Sequence, residues 1–414
     1  MVSNSTVITE PSAARLPMSI RWSILLFAFS LPFEQIELTL SGVSLARITG
    51  VLVLASCLLH HRLALSKPHV AYWLFSGYLV VHFVRGAIVD NGFFGGFFLP
   101  FLTLIQLVIV AWLLSEPLKR QEYAIQVLVT FCVANMVLTL GMIFRLPGFV
   151  ETLETKGVER LTAAGSNPNM VGSLLAVAIV VVIGLILGGT TLKTRSKILL
   201  GVFGLLLPIG LLLTQSRGAI VALIVGVAFY LLPIGGARSV ARTIPFVMAC
   251  LVALIALIAS DPDTVSRLSS TYYEGDLSGR DKIIPVALSM IAEKPLSGWG
   301  PGEFADQLGR RLNEYQPRDA HNTFLQLLLE VGFLGTVPFV LGLFFCLRRL
   351  WKFRNTDWGK MCLAAFVTLM AVNMSGTWIR FKLLWFIIAI SLSIDHRTDA
   401  KASVATLPSY KLRK

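Results

Sequence analysis

Long apolar runs separated by short polar stretches recur along the whole chain. They fall near 20–39, 44–60, 70–89, 93–115, 122–145, 169–189, 196–214, 217–235, 244–260, 321–348, 359–376 and 379–395. Each is close to the roughly 20 residues that cross a bilayer as a helix. The pattern predicts an all-α polytopic membrane protein with about twelve transmembrane helices. One interval breaks the rhythm. Residues 261–320 are polar and form the largest soluble piece of the chain. Within it, 283–291 is an apolar run of helical pattern, too short to span and expected at the membrane interface. Gly298-Trp299-Gly300-Pro301-Gly302 is a turn cluster. No repeat or low-complexity tract marks a second domain. Residues 1–414 read as one integral membrane domain, with 261–320 a loop carrying short helices between spans nine and ten. The first apolar run leads straight into further spans, so it is expected to be an uncleaved helix rather than a signal peptide.

Composition sharpens this reading. Hydrophobic residues make up 55% of the chain and charged residues 14%, a balance that would not keep a soluble domain dispersed. The net charge of +13 does not indicate nucleic acid, because Lys and Arg are spread over short inter-helix loops and both tails. The loops alternate in charge. Basic ones hold Lys119 and Arg120, Lys193 and Lys197, Arg238 and Arg242, and Arg348 to Lys360. Residues 146–168 and 261–320 form the opposite set, the latter with ten acidic residues against seven basic. The positive-inside rule then puts both termini in the cytoplasm and 261–320 outside. Five cysteines lie in or beside apolar runs, without a C-x-x-C pair, and the histidines lack metal-ligand spacing. No metal or cofactor is expected.

Charge inside the spans is the first functional signal. Glu34, Glu37, Arg47, Arg85, Arg217, Glu330, Arg380 and Lys382 all sit within or at the ends of apolar runs. A charge at the bilayer centre costs about 2.5 kcal/mol or more, so each should face a cavity or a partner. Arg47, Arg85, Arg217 and Arg380, with Arg160 and Arg280 in the outward segments, fall on the outer half, where they would make an anion site. Guanidinium forks there suit phosphate oxygens. The same arginines also fit snorkelling or pairing with a carboxylate. Arg217 resists that reading best, because it follows the polar turn Thr214-Gln215-Ser216 with no acidic residue nearby in sequence.

The second signal is Ala320-His321-Asn322-Thr323, where the polar segment gives way to an apolar helix. A histidine there is a candidate general base for a lipid-borne substrate. Alternatively, His321 is a helix-start residue bonded to a loop, Asn322 an N-cap and Glu330 a partnered carboxylate that holds the bundle. Trp299 fits stacking on a sugar ring and loop packing equally. Asn167-Pro168-Asn169 reads first as a turn and helix start.

Several stretches together resemble the O-antigen ligase/polymerase membrane superfamily. They are Leu213-Thr214-Gln215-Ser216-Arg217-Gly218-Ala219, Gly279-Arg280, Pro295 to Phe304 around Gly298-Trp299-Gly300, and Ala320 to Leu325 with Glu330 and Gly332-Phe333-Leu334-Gly335. The resemblance implies a helical architecture similar to GT-C glycosyltransferases. It implies an inverting, metal-independent transfer of O-antigen polysaccharide from undecaprenyl pyrophosphate to a lipid A-core sugar. The site would face the periplasm at the bacterial inner membrane. By the same resemblance His321 is the essential histidine, expected to be the catalytic base, and Arg217 and Arg280 are the essential arginines that bind the pyrophosphate; Arg160 and Arg85 are expected beside them from their outer-half placement. Gln215, Asn322 and Glu330 take supporting places. Partners are the lipid-linked donor, the lipid A-core acceptor and membrane lipid. A polymerase or a protein O-oligosaccharyltransferase of the same group remains open. An anion transporter is the rival class; it should show inverted repeats or paired broken helices, and the sequence shows neither.

Overall fold

A computed structural model describes residues 16–36, 44–61, 65–90, 94–155, 158–232, 261–274 and 279–395, with isolated positions such as 92 and 248 between them. The predicted span 244–260 lies largely outside the described residues. Glu37, Arg238, Arg242, Cys250 and both tails lie outside them.

The predicted runs from 20–39 to 217–235 each fall on helix: α1 (Met18–Ser30), α2 (Leu45–Leu59), α3 (Val70–Val89), α4 (Phe98–Ser115), α5 (Gln121–Ile143), α6 (Pro168–Leu187), the successive α7 (Thr194–Gly204) and α8 (Leu206–Leu213), and α9 (Arg217–Leu231). The polar segment holds α10 (Pro262–Glu274), α11 (Arg280–Glu293) and α12 (Glu303–Arg311). The last three runs become α13 (Thr323–Lys352), α14 (Asp357–Asn373) and α15 (Lys382–Ser393). Among the described residues, six helical stretches are long and apolar enough to cross a membrane, and four more are apolar but shorter. The chain is a polytopic helical membrane protein. By that criterion the described residues do not reach the twelve spans expected.

Local sequence sets the boundaries. Asn167 caps α6 by accepting from Asn169 N at 2.8 Å, with Pro168 at the first helical position. Thr356 caps α14 through Gly359 N at 3.0 Å. Helices α6 and α15 are apolar all round and buried along nearly their whole length, so they form the centre of the bundle. By contrast α1, α2 and α7 expose Trp22, Leu26, Val51, Leu58, Ile198 and Val202, as lipid-facing helices do. Close approach uses small residues. A Cβ at Gly226 of α9 would strike Thr368 of α14, and these two helices pack along each other. The misplaced charges Glu34 and Lys382 find each other. Lys382 Nζ donates to Glu34 Oε1 at 2.5 Å, and both are buried.

Two features depart from a helix-only reading. Residues Val150–Thr155 (β1) and Val158–Ala163 (β2) form an antiparallel hairpin, with Thr155 opposite Val158. The other is the fold of the polar segment. Ile283, Ala287, Met290 and Ile291 of α11 do not lie free at an interface. They form a small core with Trp299, Phe304, Leu308, Ala320 and Leu329. This cap rests on α13. Trp299 is part of that core: its indole N–H donates to Met290 O at 2.9 Å, and Lys294 Nζ stands 3.8 Å over the ring. Sugar stacking by Trp299 is therefore excluded in this arrangement. Loop packing is its role.

Cap and bundle are joined at a break in α13. Gly332 has φ +58° and ψ −164°, and the helix is interrupted there. The turn 295–300 pairs with the freed backbone. Trp299 N donates to Leu329 O at 2.6 Å and Gly300 N to Glu330 O at 2.9 Å, while Phe333 N and Leu334 N donate to Pro295 O and Leu296 O. A Cβ on Gly298 would lie 2.7 Å from Glu330 and Gly332 backbone atoms. The glycine at each position makes this contact possible.

Candidate active site

Arg217, Arg280 and His321, all singled out in the sequence, converge on one short loop. Arg280, at the start of α11, donates through Nη2 to Ser375 O at 2.6 Å. Asn322 Nδ2 donates to the neighbouring Met374 O at 3.1 Å, which sets His321 beside the same loop. The start of α9 packs there too: a Cβ on Gly218 would meet Ser375 Cβ at 2.9 Å, next to Arg217. Burial and the nearby Arg217 charge both hold the Arg280 guanidinium below its ordinary value. An arginine stays charged in spite of such pressure. Two partly desolvated guanidiniums that repel each other form a site which an anion relieves.

His321 precedes α13 rather than lying in its first turn. Asn322 is the N-cap, its Oδ1 accepting from Phe324 N at 2.9 Å and Leu325 N at 3.2 Å. His321 itself is left-handed, with φ +49°. That conformation costs a non-glycine residue roughly 1–2 kcal/mol. Asp319 helps to hold it: Oδ1 accepts from His321 N at 3.0 Å, and Oδ2 accepts from the Thr377 hydroxyl. Burial lowers the pKa of the His321 ring from the usual histidine value. Asp319 opposes the shift, and Arg280 and Arg318 reinforce it. The ring is thus neutral at neutral pH and can accept a proton.

The turn before Arg217 is braced from two sides. Arg160, on β2, donates from Nε to Thr214 O at 3.1 Å and from Nη2 to Asn169 Oδ1 at 2.9 Å; Ser216 Oγ donates to the same Asn169 oxygen. Gln215 has φ +53°, and its amide donates to Asp261 Oδ2 at 2.6 Å and accepts from Thr264 Oγ1 at 2.8 Å. Arg160 and Gln215 therefore stand close to Arg217 as parts of its frame. Arg85 lies elsewhere, donating to Gly298 O at 2.9 Å and holding the turn that plugs the α13 break.

Next to His321 opens a cavity of about 1000 Å³. Arg318, Asp319, Thr377, Arg380, Gln326, Glu330 and His82 are among the residues that line it; His321, Arg217 and Arg280 are not. Glu330 is buried; Gln326 Nε2 donates to its Oε1 at 2.6 Å, and His82 Nε2 lies 3.9 Å from its Oε2, beyond hydrogen-bond distance. The sequence reading passed over Arg318, Asp319 and His82 as site residues. For Asp319 a signal was present, since an Asp two residues before the histidine favours a side-chain-bonded turn. Among the described residues no group of three or more His, Cys, Asp or Glu is placed to hold a metal ion.

Residues 201–340, about a third of the chain, match the family described as O-antigen ligase. A comparison with curated proteins finds no match. The matched segment contains Arg217, Arg280, the turn at 298–302 and His321. The match agrees with the resemblance that the motifs in this segment carry, and it suggests a glycosyltransferase-like membrane enzyme.

Proposed function

We propose that this chain is an O-antigen ligase: an inverting glycosyltransferase that moves O-antigen polysaccharide from undecaprenyl pyrophosphate to a lipid A-core sugar. The convergence of Arg217, Arg280 and His321 around Met374 and Ser375 supports this reading most directly. Loop charges support a periplasmic site and cytoplasmic termini, the apolar runs support the twelve spans in membrane lipid, and the GT-C-like bundle is what the family resemblance implies.

The reaction needs little besides placement. An acceptor hydroxyl oxygen attacks the anomeric carbon of the donor sugar from the face opposite the phosphate. The bond from that carbon to the phosphate oxygen breaks, and its electron pair leaves with undecaprenyl pyrophosphate. His321 takes the hydroxyl proton. Negative charge grows on the departing pyrophosphate, where Arg217 and Arg280 stand already oriented. Preorganised donors in a water-poor site act most strongly on charge that develops in the transition state. Arg160 and Gln215 hold the Arg217 turn, Asn322 fixes the His321 backbone, and Glu330 with Gln326 offers acceptors and donors to sugar hydroxyls. Arg85 supports the frame at Gly298.

The leaving group is already activated, so the proposal includes no metal or cofactor. Ligation by purified protein is expected to run in excess EDTA; loss of activity that Mg²⁺ or Mn²⁺ restores would overturn that part. The function itself is tested by deleting the gene and resolving the lipopolysaccharide on a gel. A ligase gives unextended core with accumulated lipid-linked polymer. Core bearing a single repeat unit would instead identify a polymerase.

A further inference from the structure

Three of the polar side chains that line the cavity beside His321 are more than nine-tenths buried: His82 of α3, and Gln326 and Glu330 of α13. Gln326 occupies one carboxylate oxygen of Glu330, Oε1. The other, Oε2, faces His82 Nε2 at 3.9 Å, too far for a direct hydrogen bond. The imidazole is fixed at that separation, stacked on Phe101 with ring centroids 5.9 Å apart and planes 15° from parallel. On its other side, Nδ1 is enclosed and has no hydrogen-bond partner among the described residues. An enclosed N–H without an acceptor is rarer than an enclosed lone pair without a donor. The ring proton therefore belongs on Nε2, on the side of Glu330. An oxygen about 2.8 Å from both Nε2 and Oε2 spans the distance between them, provided it accepts from one and donates to the other. A hydroxyl group does both.

Water also has that chemistry, but the cavity is built for something larger. Its volume of about 1000 Å³ is that of a ligand site rather than of a single buried water. Pro100, Leu104 and Ile379 add apolar surface to the same lining. A sugar ring presents the matching pair of surfaces, C–H faces and hydroxyl edges. The position of the cavity says which sugar. Asp319 lines it and also holds the His321 backbone, so the cavity lies against the base. Arg217 and Arg280, which hold the departing pyrophosphate in the reaction above, do not line it. In an inverting displacement the incoming hydroxyl and the leaving phosphate stand on opposite faces of the anomeric carbon. A cavity beside the base and apart from the two arginines suits the incoming molecule.

We propose that His82, Gln326 and Glu330 form a hydroxyl-binding subsite for an uncharged sugar of the acceptor, which His82 Nε2 and Glu330 Oε2 hold by one hydroxyl between them. The proposal rests on the ligase reading above. It adds which residues orient the acceptor, and His82 is new among them.

The test uses the full chain in lipid nanodiscs with lipid-linked donor. His82→Phe keeps a ring against Phe101 and removes both nitrogens. Glu330→Gln keeps the side-chain size and puts an amide in place of the carboxylate. Each is expected to raise the acceptor KM about tenfold or more, while the KM for the lipid-linked donor moves far less. Asp306 lines the same cavity from an exposed position on α12. Asp306→Trp obstructs the cavity without touching a buried group, and should act in the same direction even if a variant of the buried trio misfolds. Two soluble probes identify the occupant. Core oligosaccharide released from lipid A should compete with the acceptor on wild type, and less on His82→Phe; free O-polysaccharide should not compete with it. An unaltered acceptor KM in every variant that folds is what bridging water alone would give, and it would overturn the proposal. So would free O-polysaccharide that competes as well as the core oligosaccharide, because the cavity would then take donor sugars. Saturation-transfer NMR without donor separates this proposal from the reaction it rests on. Core oligosaccharide that binds wild type and not His82→Phe, in a protein that transfers no polymer, would sink the ligase reading and leave the subsite standing.

Discussion

Replacing His321 with alanine is expected to slow ligation by about 10² to 10⁴, the usual contribution of a positioned general base. Folding and donor binding should survive. The backbone of this turn is held by Asp319 and by the Asn322 cap, not by the imidazole. Asparagine is the better second variant, because it tolerates the left-handed backbone of position 321 and cannot serve as the base. The pH dependence separates this role from a binding role. Burial lowers the pKa of the ring, so the neutral, proton-accepting form persists below the pH at which an ordinary histidine becomes charged. The acid limb of the wild-type pH–rate profile should therefore lie below the usual histidine value, and it should vanish in both variants. If both variants lose donor binding, while their slow residual turnover keeps the wild-type acid limb, His321 is a ligand and another group is the base.

Lysine at position 217 or 280 is expected to cost about 10² to 10³ in transfer rate, although the formal charge is unchanged. The reason is geometric. A guanidinium offers two parallel N–H groups to a phosphate; an ammonium offers a single compact charge that water competes for strongly. Arg280 also uses Nη2 to bind Ser375 O, so its lysine variant loses an anchor to the loop on which the site converges. Donor binding should fall less than the rate, since the interaction strengthens as the pyrophosphate leaves. Single-turnover transfer at saturating acceptor, at matched protein level, measures this. Wild-type rates from both lysine variants would refute two-pronged recognition.

Much of this arrangement was open to view in the sequence, for physical reasons. Helices such as α5 and α6 follow from apolar runs that only a bilayer or a buried centre can accommodate. Arg217, Arg280 and His321 stood out because a charge or a titratable group beside such runs needs a purpose. The hairpin carrying Arg160 escaped notice, although Val150-Glu151-Thr152-Leu153 has the start of a strand's alternation. Six residues per strand is a weak signal next to spans of twenty. The Glu34–Lys382 pair was beyond reach, since its members are 348 positions apart and only packing joins them. Trp299 could have served a sugar or a core, and the cap decided for the core. The glycines at 298 and 332 were visible as motif letters, but each has its meaning only against the backbone of the other.

The break at Gly332 also divides α13 mechanically. Backbone bonds tie Leu329 and Glu330 to the turn 295–300, so the stretch from Thr323 to Val331 is fastened to the cap at its lower end and to the loop 373–378 at its upper end. Beyond the glycine, the longer half of the helix packs along α3. An ordinary continuous helix would transmit every tilt of the bundle to its first turn. Here the same turn also bonds Phe333 and Leu334 beyond the glycine, and Arg85 of α3 holds it at Gly298, so the break is splinted rather than free. His321 and Glu330 therefore sit on one short rod whose two ends are both fixed, which sets their spacing independently of any bending in the longer half of the helix.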